Sequence, residues 1–212
     1  MVRSEVFDYL RARGLRGALE GLTRRFLHRN DRRYITERRL DEPIPDAPPP
    51  DGIALRQATG QDVDPLHAAI VENGWWRRRS ELSEWIRRGY PFSVAIGDGR
   101  LLGYACVAFE PTCRDALLRS AVRLKDGDAW GADAFVIRRV RGRGLYTALG
   151  ASVLRRAREL GYRRVLSSVP ADDPAVRSAH RKTGVREIRE VAMFRLLLYT
   201  RVSISELPGG EA

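Results

Sequence analysis

Val136-Ile-Arg-Arg-Val-Arg-Gly-Arg-Gly-Leu-Tyr-Thr147 is the stretch on which the reading of this chain turns. An apolar strand runs into a basic turn punctuated by Gly142 and Gly144, and the turn opens directly into a helix. The first N–H groups of a helix have no partner within it and sit at the positive end of the helix dipole, so a turn that gathers them binds a phosphate or diphosphate. Glycine lets the backbone take positive φ and approach an anion closely, while Arg139, Arg141 and Arg143 add positive charge. Leu145, Ala148, Leu149, Ala157 and Leu160 repeat at helical spacing, and Gly161 stops the helix. The bland reading of the same residues is a strand, a turn and a helix with arginines on its surface.

A P-loop would need Gly-Lys-Ser/Thr here, and a dinucleotide fingerprint would need an acidic residue about 20 positions on; neither is present. Beyond the helix, Arg163 to Val169 reads as a buried strand. Asp173 then caps a second helix whose first residue is Pro174 and which ends at Gly184. Ile188 to Thr200 closes the pattern as apolar strand.

Arg141-Gly-Arg-Gly-Leu-Tyr146 resembles motif A of the Gcn5-related N-acetyltransferase (GNAT) superfamily, Gln/Arg-x-x-Gly-x-Gly/Ala, with Tyr146 standing where the family has a small residue. Asp173-x(6)-His180-x(3)-Gly184-Val185 keeps the spacing of the family's Asn-x(6)-Tyr-x(3)-Gly-Phe. The resemblance implies acyl transfer from acetyl-CoA or another acyl-CoA to an amine. It places the pyrophosphate on the backbone of Arg141, Gly142, Arg143, Gly144, Leu145, Tyr146 and Thr147. It also implies contacts of the pantetheine arm with the backbone near Val136 and Arg138 and with Asp173, which equally serves as a plain helix cap.

An amine with a pKa near 10 must lose a proton before it attacks, and the departing thiolate must gain one. By the same resemblance His180 falls at the family's thiol-protonating tyrosine, and an imidazole suits acid chemistry at neutral pH; the alternative is a structural, hydrogen-bonded histidine. For the amine, Asp133 on the strand entering the cradle and Glu110 at the end of the preceding strand are the candidates, each otherwise a solvated carboxylate. Trp75, Trp76, Trp85, Tyr90 and Trp130 are candidates to line an acceptor pocket or to sit in the core. No metal site is expected.

The rest of the chain supplies the frame. Ile53 to Ala58 alternates as an opening strand, Asp62–Glu72 and Ser80–Arg88 read as helices, and Phe92–Ile96 and Leu101–Phe109 form a hairpin through Gly97-Asp-Gly99. The expected class is α+β: a mixed, mostly antiparallel sheet with a splayed central strand pair, flanked by helices, over 53–201. Residues 202–212 read as a tail. Residues 1–40 carry eleven arginines against five carboxylates, a net +6 of the chain's +11, with Leu15, Leu19, Leu22 and Phe26 on one helical face. They read as a basic, amphipathic helical extension that packs on the domain, on a second copy or on an anionic membrane surface. The proline-rich 41–52 reads as a linker that separates this extension from every nominated chemical group, so turnover should survive its removal.

With 212 residues and 43% hydrophobic content, the chain suits one globular domain with an appendage. No apolar run approaches a membrane span and no secretory signal is visible. Cys106 and Cys113 make no disulfide framework, and the expected compartment is the cytoplasm. A net charge of +11 calls for an anionic partner. Acyl-CoA is one such partner, and an acidic acyl carrier protein is a second donor that would suit an arginine-rich face. Nucleic acid or the ribosome is the reading of a different class, but it lacks RNP aromatics, helix-turn-helix spacing and zinc ligands. The expected acceptor is an amine-bearing small molecule, with amino sugars among the candidates.

Overall fold

The computed structural model describes residues 28–75, 77–109, 122–196 and 199–207. They form a single eight-stranded sheet with four helices, ordered β1(His28–Arg39), β2(Ile53–Gln57), α1(Val63–Glu72), α2(Arg79–Arg87), β3(Phe92–Gly97), β4(Arg100–Ala108), β5(Asp128–Val136), α3(Leu145–Glu159), β6(Arg164–Pro170), α4(Pro174–Lys182), β7(Arg186–Leu196) and β8(Tyr199–Glu206). From β2 onward this is the expected α+β order. β3 and β4 form a hairpin buried along most of its length on both faces, with Phe92, Val94, Leu102 and Tyr104 in the core, and α1 and α2 add Leu66, Ile70 and Leu82 to the same core. Helix α3 packs Leu145, Leu149 and Val153 into that core as well.

Across the sheet the order is β2-β3-β4-β5-β6-β1-β7-β8. All neighbours are antiparallel except β5 and β6, which pair in parallel only from Asp128↔Arg164 to Trp130↔Leu166. Beyond Trp130 the two strands part, and where β5 pairs with Cys106 and Val107 of β4 it carries an extra residue, Ala132, a bulge that bends β5 at this point. The fork is tight at its root, because a Cβ on Gly131 would come within 2.8 Å of Ser167 Cβ.

The N-terminal expectation fails from residue 28. His28–Arg39 is a strand, not a helix, and it lies inside the sheet, hydrogen-bonded to β6 on one side and β7 on the other. Its two buried charges are paired: Arg38 is 3% exposed and ion-paired to Glu42 at 2.7 Å, and Glu37 meets Arg164 at 2.8 Å, while Arg32 and Arg39 remain exposed. The apolar helical stripe expected over 15–26 lies outside the described residues. Residues 41–52 are non-helical as expected, yet the segment is no spacer between separate units: Ile44 packs on the main core. At the other end, the run from Ile188 is two strands, and the sheet continues to Glu206, so the tail expected from 202 begins no earlier than 207.

Candidate active site

At the end of β5 a short 3-10 turn, Arg138–Val140, leads into the glycine turn. Gly142 and Gly144 both have positive φ, 76° and 85°, and a Cβ at either would meet nothing within 4 Å. The glycines are therefore required by backbone conformation, and the space beside them is open. No side chain caps α3, and the first backbone amide satisfied at its start is that of Ala148, which donates to Gly144 O at 3.0 Å. The amides of Leu145, Tyr146 and Thr147 thus face an end with no acceptor among the described residues. Arg138, Arg139 and Arg143 are exposed around this turn. Arg141 instead folds back, its Nε donating to Val136 O at 2.9 Å.

Two expected backbone contacts have other partners. The Arg138 amide donates to Asn73 Oδ1 at 3.1 Å, and the Val136 carbonyl is taken by Arg141. The edge of β5 left unpaired toward the fork is 131–134, nearer its root.

The fork opens into a cavity of about 510 Å³. On the helix side it is lined by Tyr146, Thr147, Asp173 and His180; across from them stand Trp75, Arg77, Cys106, Trp130 and Asp133. Asp173 caps α4 by accepting from Val176 N at 3.0 Å, so its cap role and its place on the cavity wall hold together. Asp133 is rigidly held. Its Oδ2 accepts from Tyr104 Oη at 2.6 Å and lies 2.8 Å from Arg77 Nη2, while Oδ1 accepts from Ala134 N at 3.0 Å. Burial opposes the Arg77 charge, but Asp133 and Tyr104 outweigh it and raise its pKa. Tyr104 is completely enclosed, and burial, with Asp133 adding to it, pushes its phenol far above the ordinary value, so it remains a donor. Burial likewise pushes the Cys106 thiol up, which makes it a poor nucleophile.

His180 stands on α4 with Nε2 3.2 Å from Tyr146 Oη and Nδ1 buried without a partner. Burial pushes its pKa down to about 4, against a smaller opposing pull from Glu187. At pH 7 the imidazole is neutral, so the imidazolium acid expected from its unperturbed pKa is not populated. Glu110, Trp76 and Cys113 lie outside the described residues. Trp85 and Tyr90 are core side chains, 7% and 3% exposed. Trp75, 47% exposed, and Trp130 line the cavity. Sequence reasoning missed Arg77 and Arg33; the latter reaches the cavity from β1 and donates to Ser168 Oγ at 2.7 Å.

The profile of the Acetyltransferase (GNAT) family matches residues 61–185, more than half of the chain. The chain belongs to the GNAT family. Its fold is similar to that of a GCN5-related N-acetyltransferase from Sphaerobacter thermophilus, with a TM-score of 0.61 at 20% identity over 90% of this chain and 56% of that one. A GNAT-family protein from Novosphingobium aromaticivorans gives 0.55 at 19% identity over 84% and 66% of the two chains. The glucosamine N-acetyltransferase region of a fungal multi-domain GH3 β-N-acetylglucosaminidase gives 0.56 at 16% over 84% and 22%. At these identities the likeness is one of fold, and the chain spans less than two thirds of either bacterial structure. No curated protein matches it in sequence.

The residues of this GNAT chain fit the acyl-CoA used by its family. Amides at the start of α3 without acceptors among the described residues, open space at two glycines and three arginines around them suit a pyrophosphate. Among the described residues no group of three or more His, Cys, Asp or Glu side chains is placed to hold a metal ion, and no helix is long and apolar enough to cross a membrane.

Proposed function

We propose that this protein transfers an acetyl or other acyl group from acyl-CoA to the primary amine of a small molecule. The observation that carries the reading is the continuity of the fork: the phosphate cradle at the start of α3 leads into a cavity whose far wall holds an immobilised carboxylate. The donor supplies an activated thioester. The amides of residues 145–147 and the surrounding arginines hold its phosphates, and the open edge of 131–134 offers backbone groups to the arm that reaches into the fork. Asp133 serves the amine. With Oδ2 engaged by Tyr104 and Arg77, the acceptor capacity left is on Oδ1, enough to orient an ammonium and to receive its proton directly or through water.

Calorimetry with CoA, followed by thiol release from acetyl-CoA and longer acyl-CoAs over an amine panel, tests the proposal. Glucosamine belongs in that panel because the fungal structural neighbour is a glucosamine N-acetyltransferase region. Gly144→Val should weaken CoA binding at least about tenfold, since a β-branched residue at positive φ distorts the turn at a cost of about 1–2 kcal/mol and fills the open phosphate path. The fold should persist, because nothing else lies within 4 Å of the new Cβ. Unchanged affinity in the variant would remove the cradle from the mechanism.

A further inference from the structure

Tyr146 and His180 lie on different helices, yet their rings stack within 6.1 Å at 26° and their polar atoms meet at 3.2 Å. Collapse of the acyl-transfer intermediate breaks the C–S bond and leaves its electron pair on sulfur, so a proton must be delivered in this cavity. Among the described lining residues the choice is narrow. Asp133 and Asp173 already act as hydrogen-bond acceptors, and the guanidinium groups of Arg33, Arg38 and Arg77 hold their protons too tightly. The aliphatic hydroxyls of Thr147, Ser167, Ser168 and Thr183 are weaker acids than a phenol, and Ser167, Ser168 and Thr183 are already hydrogen-bonded to Thr36, Arg33 and the His180 carbonyl. Cys106, Tyr146 and His180 remain, and Cys106 sits on β4 rather than on the helix that opens from the cradle.

The orphaned Nδ1 of His180 decides between the other two. If Nδ1 carried the hydrogen, a buried donor would be stranded and the phenol would spend its own hydrogen on Nε2. If Nε2 carries it, the stranded atom is only an acceptor, the lesser mismatch, and the Tyr146 hydrogen is left for another partner.

We propose that Tyr146 is the catalytic proton donor to the departing thiolate and that His180 is its positioning residue, donating Nε2–H to the phenol oxygen. This inference rests on the acyl-transfer reading. In the step, the amine nitrogen is already bonded to the acyl carbon. The C–S bond breaks, sulfur takes the proton from Tyr146 Oη, and the resulting phenolate keeps the N–H of His180. The proton lost by the acylated nitrogen returns through solvent to the phenolate, so the net products are the amide, free thiol and the proton that the ammonium brought. Burial, with Asp133 and Asp173 adding to it, raises the phenol. It disfavours a thiolate in the same gap as well, and the transfer moves the charge onto an oxygen that already receives a donor.

Two measurements on the full chain test this. Nitrogen-15 NMR of the His180 ring should show Nε2 protonated and Nδ1 bare, with a shift at Nε2 on Tyr146→Phe. The reverse tautomer overturns the proposal whether or not any acceptor is known. In single-turnover thiol release from acetyl-CoA, with the best amine of the panel, Tyr146→Phe should lower the rate about 10²–10⁴-fold with CoA affinity kept. His180→Phe should cost less, His180→Gln should recover part of that loss by restoring a donor, and the Tyr146→Phe/His180→Phe double variant should lose less than the product of the two. A Tyr146→Phe protein that still releases thiol within about threefold of wild type overturns the assignment. Failure of the wild type itself to bind CoA or release thiol strikes the acyl-transfer reading instead, and the tautomer measurement then still judges the pair.

Discussion

On one side of the fork, β2, β3, β4 and β5 follow one another in the chain and in the sheet alike; on the other, β6 is bonded to β1, a strand from far earlier in the sequence, and only then come β7 and β8. The first half rests on one large apolar cluster; the second has a smaller one, around Ile35, Leu166, Ile188 and Val191, and adds charged side chains that find partners across strands. The cavity lies where the two meet, so its shape depends on a strand that nothing local recruits. Loop closure between β1 and β6 must precede any reward from their contacts. Pairing the beginning of the chain with its middle is the step on which the active cavity depends.

Removal of residues 1–50 is the harshest way to break this comparison. Such a chain loses the partner of β6 over seven register pairs and of β7 over ten, and the earlier expectation of a dispensable appendage is reversed. It should fail to give a cooperative unfolding transition and should neither bind CoA nor release thiol. A truncated protein with sharp thermal unfolding and near-normal CoA affinity would mean that β7 can close directly on β6 and that β1 is an accessory.

A smaller effect isolates the seam. Arg164 on β6 joins Asp128 on β5 through two hydrogen bonds, 2.6 and 2.9 Å, and Glu37 on β1 through a third, 2.8 Å. These bonds hold its pKa above the ordinary arginine value against the cost of burial. Asp128 and Glu37 are 8% and 9% exposed, so removing their common partner leaves two nearly buried carboxylates uncompensated. Arg164→Met, similar in length, should cost about 3–5 kcal/mol in urea unfolding. Arg156→Met, which breaks an exposed pair with Glu159 on α3, should cost less than about 1 kcal/mol. Equal losses at the two positions would show that the seam is no more than another surface ion pair.

The same contrast explains what could be read from the chain. Glycines at the cradle, the Pro174 helix start and the Gly97-Asp98-Gly99 turn between β3 and β4 are local rules, and each gave its element. β1 obeys none of them. His28–Arg39 contains Tyr34, Ile35 and Thr36, residues suited to strands, but arginine and carboxylates dominate around them, and the pairing of these charges depends on Arg164, Glu42 and Glu190, which lie outside the strand. The site divides in the same way. Asp133, His180 and the glycine turn were visible as residue types in suggestive places. The contact between Tyr146 and His180 and the descent of Arg77 onto Asp133 were not, because each joins elements whose mutual register is set by packing.

The mildest prediction uses His180 as a gauge of how firmly α4 is seated on the charge-rich half. The end of α4 packs on β1: a Cβ on Gly184 would come within 3.0 Å of Arg38 Cζ, and Thr183 is buried. That docking removes water from His180 and takes its pKa from near 6.5 in the unfolded chain to about 4 in the folded one. Above about pH 6.5 both states are neutral and the residue contributes no pH dependence. As the pH falls from there toward 4, the unfolded chain takes up a proton that the folded protein refuses, so stability is lost; below 4 both bind it and the loss levels off. The ceiling on this loss is about 3 kcal/mol, from about 1.36 kcal/mol per pKa unit. Carboxylates titrate over part of the same range, so the quantity to measure is the difference between wild type and His180→Phe in urea unfolding from pH 8 to pH 4. That difference should be constant above about pH 6.5 and then move steadily against the wild type. A flat difference throughout would show that water reaches the imidazole, that α4 is not firmly seated over β1, and that the charged half of the sheet closes less tightly on the cavity than the apolar half does.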